Sequence, residues 1–238
     1  MRRHLRLACA AAALLLPAAL SGQERVRVLL DTDAFNEIDD QFFIAYALKQ
    51  PQFAIEGITA AHYRWEQGSV DESYYEILRV LELAGVRPDF PVVRGSDTAM
   101  PDEKTPRPSE AVELIRRAAL RKDARKLNVL AVGALTNVGS ALVQYPEIIP
   151  RMRVIWLGGF PPNGRMNEFN VRNDRAAAKA VFESGVELVV APTETCARML
   201  TLTYPEAEAR LKRLGVLGEY LLSNLLEYGE RNKVIWDI

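Results

Sequence analysis

Apolar runs of strand length alternate with amphipathic segments of helix length through most of this sequence, and this alternation restricts the fold more than any other feature. Strand-like runs are indicated at residues 26–30, 55–60, 91–93, 128–132, 154–157 and 188–191. Helix-period segments are indicated at residues 38–48, 70–83, 109–120, 135–144, 174–183, 205–214 and 216–228. Such a β–α rhythm is typical of an α/β protein. We therefore predict a doubly wound, mostly parallel central sheet with helices on both faces.

The segment after the first predicted strand is unusually acidic. It contains Asp31, Asp33, Glu37, Asp39 and Asp40. Ligands of doubly wound sheets bind beyond the carboxyl ends of the strands, where this segment is expected. One or two of the carboxylates could cap the next helix. The others would repel each other unless a cation neutralised them, so we predict a metal or polyol site here rather than a solvated acidic turn.

Histidine and cysteine are scarce, with 2 of each in 238 residues. His4 and Cys9 lie in the N-terminal leader, so His62 and Cys196 are left for the body of the chain. An internal disulfide and a zinc site built from several Cys and His ligands are therefore excluded. Side-chain ligands to a metal would be mostly oxygens, which favours calcium or magnesium.

Residues 1–22 have the pattern of a secretory signal peptide. Three arginines precede an apolar run at residues 7–16, and a proline and small residues follow it. This order is typical of a cleaved signal, and the run is short for a membrane span. We expect a secreted or periplasmic protein whose single domain covers residues 23–238, without stable membrane association after cleavage. The alternative is an uncleaved membrane anchor.

Charge and loop composition limit the kinds of ligand that this protein is expected to bind. The 30 basic and 31 acidic residues are nearly balanced, and no basic stripe for nucleic acid is present. No Gly-rich loop follows the first strand, so neither a dinucleotide fingerprint nor a Walker loop is available. The Asp31-Thr32-Asp33 run also fits haloacid dehalogenase-like phosphatases, but that alternative leaves Asp39 and Asp40 unexplained. We expect a small-molecule substrate, and a homo-oligomer is left open.

Four further motifs occur in a fixed order after the acidic loop. They are Glu-Gly-Ile-Thr at residues 56–59, Val-Gly-Ala-Leu-Thr-Asn at 132–137, Leu-Gly-Gly at 157–159, and Glu-Phe-Asn at 168–170 followed by Asn-Asp at 173–174. Together with the Asp-x-Asp and Asp-Asp pairs of the acidic loop, this set resembles the calcium-dependent nucleoside hydrolases of the inosine-uridine preferring type, over residues 26–238. The resemblance implies a Rossmann-like fold. It also implies hydrolysis of the N-glycosidic bond of ribonucleosides, or of a related ribosyl compound, to free base and ribose.

The same resemblance implies which residues form the metal site. Calcium would be held by Asp33, by both oxygens of Asp40, by the backbone carbonyl of Val132 and by Asp237. Asp33 would also act as the general base for a metal-bound water.

Substrate contacts are implied in the same way. Asp39 and Asn170 would hold ribose hydroxyls, Glu168 would contact the 5′ side of the sugar, and Asn163 matches a further ribose-binding asparagine. Trp236 is expected to stack on the base, with core packing as the alternative.

The chain departs from the family pattern at several points. Five residues, 34–38, separate the inner aspartates where the family has three, so the loop must bulge for Asp39 and Asp40 to align. Arg64 stands where a sugar-binding asparagine is expected, and Trp236 stands where inosine-uridine members carry a histidine acid. His62 is more often a hydrogen-bonded loop histidine than a replacement acid. These departures leave open a catalytically degenerate ribose-binding or nucleoside-binding protein.

The position of Asp237 is a further departure. The chain stops one residue after it, whereas family members continue well beyond this ligand. We therefore expect a C-terminally truncated member or a fragment of a longer chain.

Overall fold

A computed structural model describes residues 24–64, 69–159, 168–192, 199, 201–227 and the backbone of 232–234. Its central sheet has six strands, all paired in parallel. They are β1 (Val26–Thr32), β2 (Phe53–Ala60), β3 (Val92–Arg94), β4 (Leu127–Ala131), β5 (Met152–Leu157) and β6 (Glu187–Ala191). Their spatial order is β3-β2-β1-β4-β5-β6, the doubly wound order in which the direction of winding reverses between β1 and β4.

Helices connect these strands. They are α1 (Asp39–Lys49), α2 (Val70–Leu83), α3 (Glu110–Leu120), α4 (Thr136–Gln144), α5 (Phe169–Asn173), α6 (Arg175–Glu183), α7 (Tyr204–Leu211) and α8 (Val216–Glu227). Short 3₁₀ turns lie at Pro146–Arg151 and Lys212–Leu214. A small antiparallel pair, β7 (Thr201–Thr203) and β8 (Asn232–Val234), lies outside the main sheet.

Two hydrophobic cores cover the two faces of the sheet. Alternation along β1 sends Val28 and Leu30 into the core formed with α1, α2 and α8. Leu29 points into the other core, formed with α3, α4 and α6. Because successive side chains of a strand face opposite sides, a strand buried on both faces is apolar throughout. The predicted α/β fold with helices on both faces is confirmed.

The structure adds elements that the apolar pattern did not indicate. The three-residue strands β7 and β8 and the five-residue helix α5 are too short for a periodic signal. Among the described residues, no helix is long and apolar enough to cross a membrane.

Opposite the loops that carry the acidic residues, a buried ion pair fixes the start of β1. The Arg27 side chain is 1% exposed and donates to both carboxylate oxygens of Glu56, at 2.6 and 2.9 Å. Register shifts at this point, so that Val28 pairs with Ile55 and Leu29 with Gly57. Glu56 is therefore bulged out of the ladder toward Arg27. The Glu-Gly-Ile-Thr motif thus has a structural role at this end of the sheet.

Candidate active site

The acidic residues lie at the carboxyl edge of the sheet, at the point where the winding reverses. Asp31 is the penultimate residue of β1 and is paired with Ala131 near the end of β4. Asp33 follows the strand directly and is 2% exposed. Crevices at such switch points are the usual ligand sites of doubly wound sheets.

The loop between Asp33 and Asp39 bulges outward. The backbone N–H of Asn36 donates to the Asp33 carbonyl at 2.9 Å and closes a turn, while Phe35 is 48% exposed. Asp39 and Asp40 form the first turn of α1 and are buried. The Thr32 hydroxyl donates to Oδ1 of Asp40. The two extra residues are therefore absorbed in the bulge, and Asp40 returns to the end of β1.

Burial and mutual repulsion disfavour the charged forms of these carboxylates. Burial is the largest cause of the raised pKa values of Asp33 and Asp40, followed by the charge of Asp40 for Asp33 and of Asp39 for Asp40. Burial also raises the pKa of Asp31 to about 6, against the hydrogen bonds from Thr59 and Asn137. A bound cation would reverse this preference and favour the ionised carboxylates.

Two carboxylate oxygens in this cluster lack a hydrogen-bond partner within the described structure. They are Oδ2 of Asp31 and Oδ2 of Asp33, and both are buried. Such atoms are costly in a protein interior unless another group satisfies them. These two oxygens are thus acceptors without a donor, although among the described residues no group of three or more His, Cys, Asp or Glu side chains is arranged to hold a metal ion.

Asn137, the second residue of α4, links the ends of three strands. Its amide donates to Oδ1 of Asp31 at 2.8 Å and to the Ala60 carbonyl at 3.1 Å. Its own oxygen accepts the Ser96 N–H at 3.1 Å. Sequence reasoning assigned no role to Asn137, whose only signal was its place in a family motif.

On the β4 side, Val132 and Asn170 are in direct contact. The Asn170 amide donates to the carbonyls of Val132 and Leu157, at 2.8 and 2.9 Å. Its Nδ2 thus ties the ends of β4 and β5 together. The Val132 carbonyl has two lone pairs, so it can accept a second partner.

Glu168 caps the short helix α5. Its carboxylate accepts the N–H groups of Gly159, Asn170 and Val171, at 3.2, 3.0 and 2.9 Å. Burial raises its pKa, and these hydrogen bonds act in the opposite direction. The side chain thus shapes the loop after β5, whereas its predicted contact with the sugar stays a prediction.

His62 is fully buried at the end of β2, and both ring nitrogens have partners. Nδ1 lies 2.9 Å from the Arg64 carbonyl and Nε2 lies 2.8 Å from the Thr136 hydroxyl. The ring is therefore a hydrogen-bonded loop histidine and has no nitrogen facing a substrate.

Arg64 follows at the rim of the site. Its side chain is 50% exposed, and its Nη2 lies 3.7 Å from Glu72 and 3.2 Å from the Tyr63 hydroxyl. Its guanidinium also lies 4.9 Å from the centre of the Tyr63 ring. A stacked cation thus occupies the place of the expected asparagine.

Three predicted site residues, Asn163, Trp236 and Asp237, lie outside the described residues. The remaining ones are brought to one edge of the sheet, on loops after β1, β4 and β5. Their predicted roles stay predictions.

Gly133 gives a test of how tightly the cluster is packed. A Cβ on this residue would lie 2.6 Å from Oδ1 of Asp33, so Gly133→Ala must displace that carboxylate. We expect an overpacking cost of about 1–3 kcal/mol in the free energy of unfolding and a larger proportional loss of kcat than of affinity. Thermal denaturation and steady-state kinetics of the variant would check this. Wild-type kcat in a folded Gly133→Ala protein would contradict the assigned packing.

Comparisons with known proteins agree on one family. The family described as inosine-uridine preferring nucleoside hydrolase matches residues 28–234. A pyrimidine-specific ribonucleoside hydrolase of Klebsiella pneumoniae is 26% identical over 227 residues, covering 84% of this chain and 70% of that protein. A non-specific ribonucleoside hydrolase of Escherichia coli is 28% identical over 228 residues, covering 84% and 72%.

A solved structure agrees with the fold. A plant nucleoside hydrolase superimposes with a TM-score of 0.72 at 24% identity, covering 89% of this chain and 76% of that chain. The family match, which spans most of the chain, decides against the phosphatase alternative. The protein belongs to the inosine-uridine preferring nucleoside hydrolase family and is a nucleoside N-ribohydrolase.

Proposed function

We propose that this protein releases ribose from nucleosides or related ribosyl compounds in a calcium-dependent reaction, with Asp33 as the general base. One observation supports this above all others. Asp33 and Asp40 are buried side by side at the switch point of the sheet, and Oδ2 of Asp33 has no hydrogen-bond partner in the described structure. Buried carboxylates of this kind are stable in the ionised form only when a cation or another donor neutralises them, and are otherwise protonated.

The donor set fits calcium. Asp33 and Asp40 would hold the ion together with the Val132 carbonyl, and we propose Asp237 as a further ligand. All of these are oxygen donors, which is the preference of a hard cation with six to eight ligands. The absence of a side chain at Gly133 lets the Asp33 carboxylate lie against the loop after β4, close to the Val132 segment.

Cleavage of an N-glycosidic bond passes through a sugar with oxocarbenium character. Calcium held by Asp33, Asp40 and the Val132 carbonyl would supply a positive charge that attracts sugar hydroxyls and lowers the pKa of a neighbouring water. Asp33 accepts a proton from the attacking water. Burial and the neighbouring charge of Asp40 raise the pKa of its carboxyl above the ordinary value, which strengthens the carboxylate as a base, and a bound cation would favour the ionised form that accepts the proton.

The remaining residues would hold the ribose. Asp39, in the first turn of α1, and Oδ1 of Asn170 are acceptors for hydroxyl groups at this edge. Glu168 and Asn163 are proposed for the 5′ side. Carboxylate and amide oxygens around the ring would also favour the positive charge that develops on the sugar.

Protonation of the leaving base does not use His62, because both of its ring nitrogens are engaged. We propose that Trp236 stacks on the base and helps to bind it.

A nucleoside panel assayed for free ribose tests the proposal. We expect release from at least one purine or pyrimidine nucleoside, loss of that release in excess chelator, and recovery on addition of calcium. The variant Asp40→Asn should lose the recovery, whereas Asp89→Asn, a change at an exposed loop, should retain it. Equal rates with and without chelator would contradict the calcium proposal.

We also propose that residues 1–22 direct export, on the basis of the charged, apolar and small-residue regions noted above. The reaction would then serve the use of external purine or pyrimidine nucleosides. Cell fractionation with an antibody to the protein would test this placement.

A further inference from the structure

A continuous chain of hydrogen bonds runs from the loop after β2 to the segment before α6. It begins at the Arg64 carbonyl, 2.9 Å from Nδ1 of His62, and continues from Nε2 to the Thr136 hydroxyl at 2.8 Å. The same hydroxyl lies 2.5 Å from Oδ2 of Asp174. His62, Thr136 and Asp174 are at most 2% exposed. The chemistry proposed above for the site uses none of these three side chains.

Asp174 acts as an acceptor in this chain. Its Oδ1 accepts the Ala177 N–H at 2.8 Å as the N-cap of α6, and its Oδ2 accepts the Met100 N–H at 2.8 Å. Each oxygen of Asp174 thus accepts one backbone N–H. The hydrogen between Thr136 and Asp174 is therefore the hydroxyl hydrogen of Thr136.

Counting hydrogens then shows which protonation state of His62 satisfies both of its contacts. A hydroxyl has one hydrogen, and that of Thr136 is already donated to Asp174. A backbone carbonyl has none. Both contacts of the imidazole therefore require a hydrogen on the imidazole itself, at Nδ1 toward Arg64 and at Nε2 toward Thr136.

We infer that His62 is a positioning residue, whose doubly protonated ring ties the loop at residues 62–64 to α4 and to Asp174. When the ring loses one proton, one contact weakens in either tautomer: loss from Nδ1 leaves two acceptors facing each other at the Arg64 carbonyl, and loss from Nε2 leaves that nitrogen and Asp174 to share the single hydrogen of Thr136. The loop after β2 is then held less firmly. The inference does not depend on the proposed calcium site.

Charges around the ring act in opposite directions. Burial lowers the pKa of His62 below its ordinary value, whereas the Arg64 carbonyl and the carboxylates of Asp174 and Asp97 act to raise it. All of these contacts therefore form together only at acidic pH, when the ring is doubly protonated. The link between the loop at residues 62–64 and α4 weakens as the pH rises through the pKa of His62.

The loop carries groups that reach the active site. The Tyr63 ring is buried, and the loop begins beside the proposed base, because the Ala61 N–H donates to the carbonyl of Thr32, the residue before Asp33, at 2.8 Å. The Tyr63 hydroxyl donates to Glu72. A looser loop should therefore weaken substrate binding before it affects folding, and the KM should rise with pH.

Nuclear magnetic resonance can test the hydrogen count directly. In protein labelled with ¹⁵N, a pH titration from about 8 to 4.5 around the ordinary imidazole pKa of about 6.5 should convert His62 to the imidazolium form. His4→Gln leaves His62 as the sole histidine signal. The amide signals of Met100 and Ala177, which donate to Asp174, should shift with the same midpoint. A ring that stays neutral throughout, or amides that ignore its titration, would overturn the inference.

Variants of Thr136 separate positioning from simple packing. Thr136→Val keeps the shape but removes the hydroxyl, so the amides of Met100 and Ala177 should stop following His62. Its KM should also rise several-fold and lose its wild-type pH dependence. Thr136→Ser should restore both properties. Thr105→Val, which removes a threonine–aspartate contact at an exposed turn, should change neither. Failure of the serine variant to restore the shared midpoint would count against the inference.

Discussion

Replacing Asp33 with alanine is expected to lower kcat by about 10²–10⁴-fold, the usual contribution of a positioned general base. The carboxylate lies at the carboxyl end of β1, is 2% exposed, and has a buried oxygen without a hydrogen-bond partner in the described structure. Loss of this group removes the proposed proton acceptor and a calcium ligand together. Isothermal titration should therefore show weakened calcium binding, and ribose release should fall at saturating calcium.

The stability of the folded, metal-free protein should not fall in Asp33→Ala. Asp33 is repelled by Asp40, Asp39 and Asp31, so its removal relieves like-charge contacts in the metal-free protein. We expect Asp33→Ala to melt no lower than the wild type in chelator. Asp33→Asn keeps the shape and should show the same loss of kcat, while Asp89→Ala, at an exposed loop, should retain activity. Wild-type kcat in either Asp33 variant would remove this residue from the mechanism.

The sheet could be predicted because its strands are buried on both faces. Side chains such as Val28, Leu29 and Leu30 alternate between two cores, so the run is apolar without interruption. The helices that follow are long enough to show a period. Helix α5, with five residues, is not, and the Glu168 side chain that caps it is identified only in the fold.

The place of the site could also be predicted, because the acidic loop follows β1 directly. The way in which its parts are held together could not. Asn137 reaches Asp31 across 106 positions in the chain, and Thr136 reaches His62 across 74. Hydrogen bonds of this kind leave no periodic signal. A residue such as Asn137 therefore looks like an ordinary helix residue until the strand ends are placed around it.

His62 is a second residue whose hydrogen-bond partners could not be predicted from the sequence. The sequence indicated that His62 was more often a hydrogen-bonded loop residue than an acid, because loop histidines with local partners are common. The partners themselves, the Arg64 carbonyl and the Thr136 hydroxyl, are known only from the fold. With these two partners known, the hydrogen that each contact of the ring requires can be counted.

Calcium is expected to stabilise the protein strongly at neutral pH and much less near pH 4.5. The pKa of Asp31 is raised to about 6 by burial, and the pKa values of Asp33 and Asp40 are raised by burial and mutual repulsion. For an acid whose pKa is higher in the folded state, the folded protein binds more protons between the two pKa values. The free energy of unfolding of the metal-free protein therefore falls as the pH rises through this window.

The size of the effect follows from the shift at Asp31. A rise from 3.8 to about 6 corresponds to about 3 kcal/mol of lost stability above pH 6. Calcium binds the ionised carboxylates, and saturation at about 100 times its dissociation constant would add about 2.7 kcal/mol. Protons compete for the same oxygens, so this gain shrinks on acidification. Thermal denaturation in chelator and in calcium, between pH 4.5 and 7.5, would measure both trends.

Asp31→Asn provides the matched test of cause. An amide in this position cannot ionise, so the fall in stability of the metal-free variant between pH 4 and 6 should be smaller by the contribution of Asp31, with Asp33 and Asp40 accounting for the rest, while Asp89→Asn should keep the full fall. Because Asp31 is hydrogen-bonded by Thr59 and Asn137 and is not among the proposed ligands, the variant should still gain stability from calcium at pH 7. A metal-free wild type that becomes more stable as the pH rises from 4 to 6 would show that the buried carboxylates do not set its pH dependence.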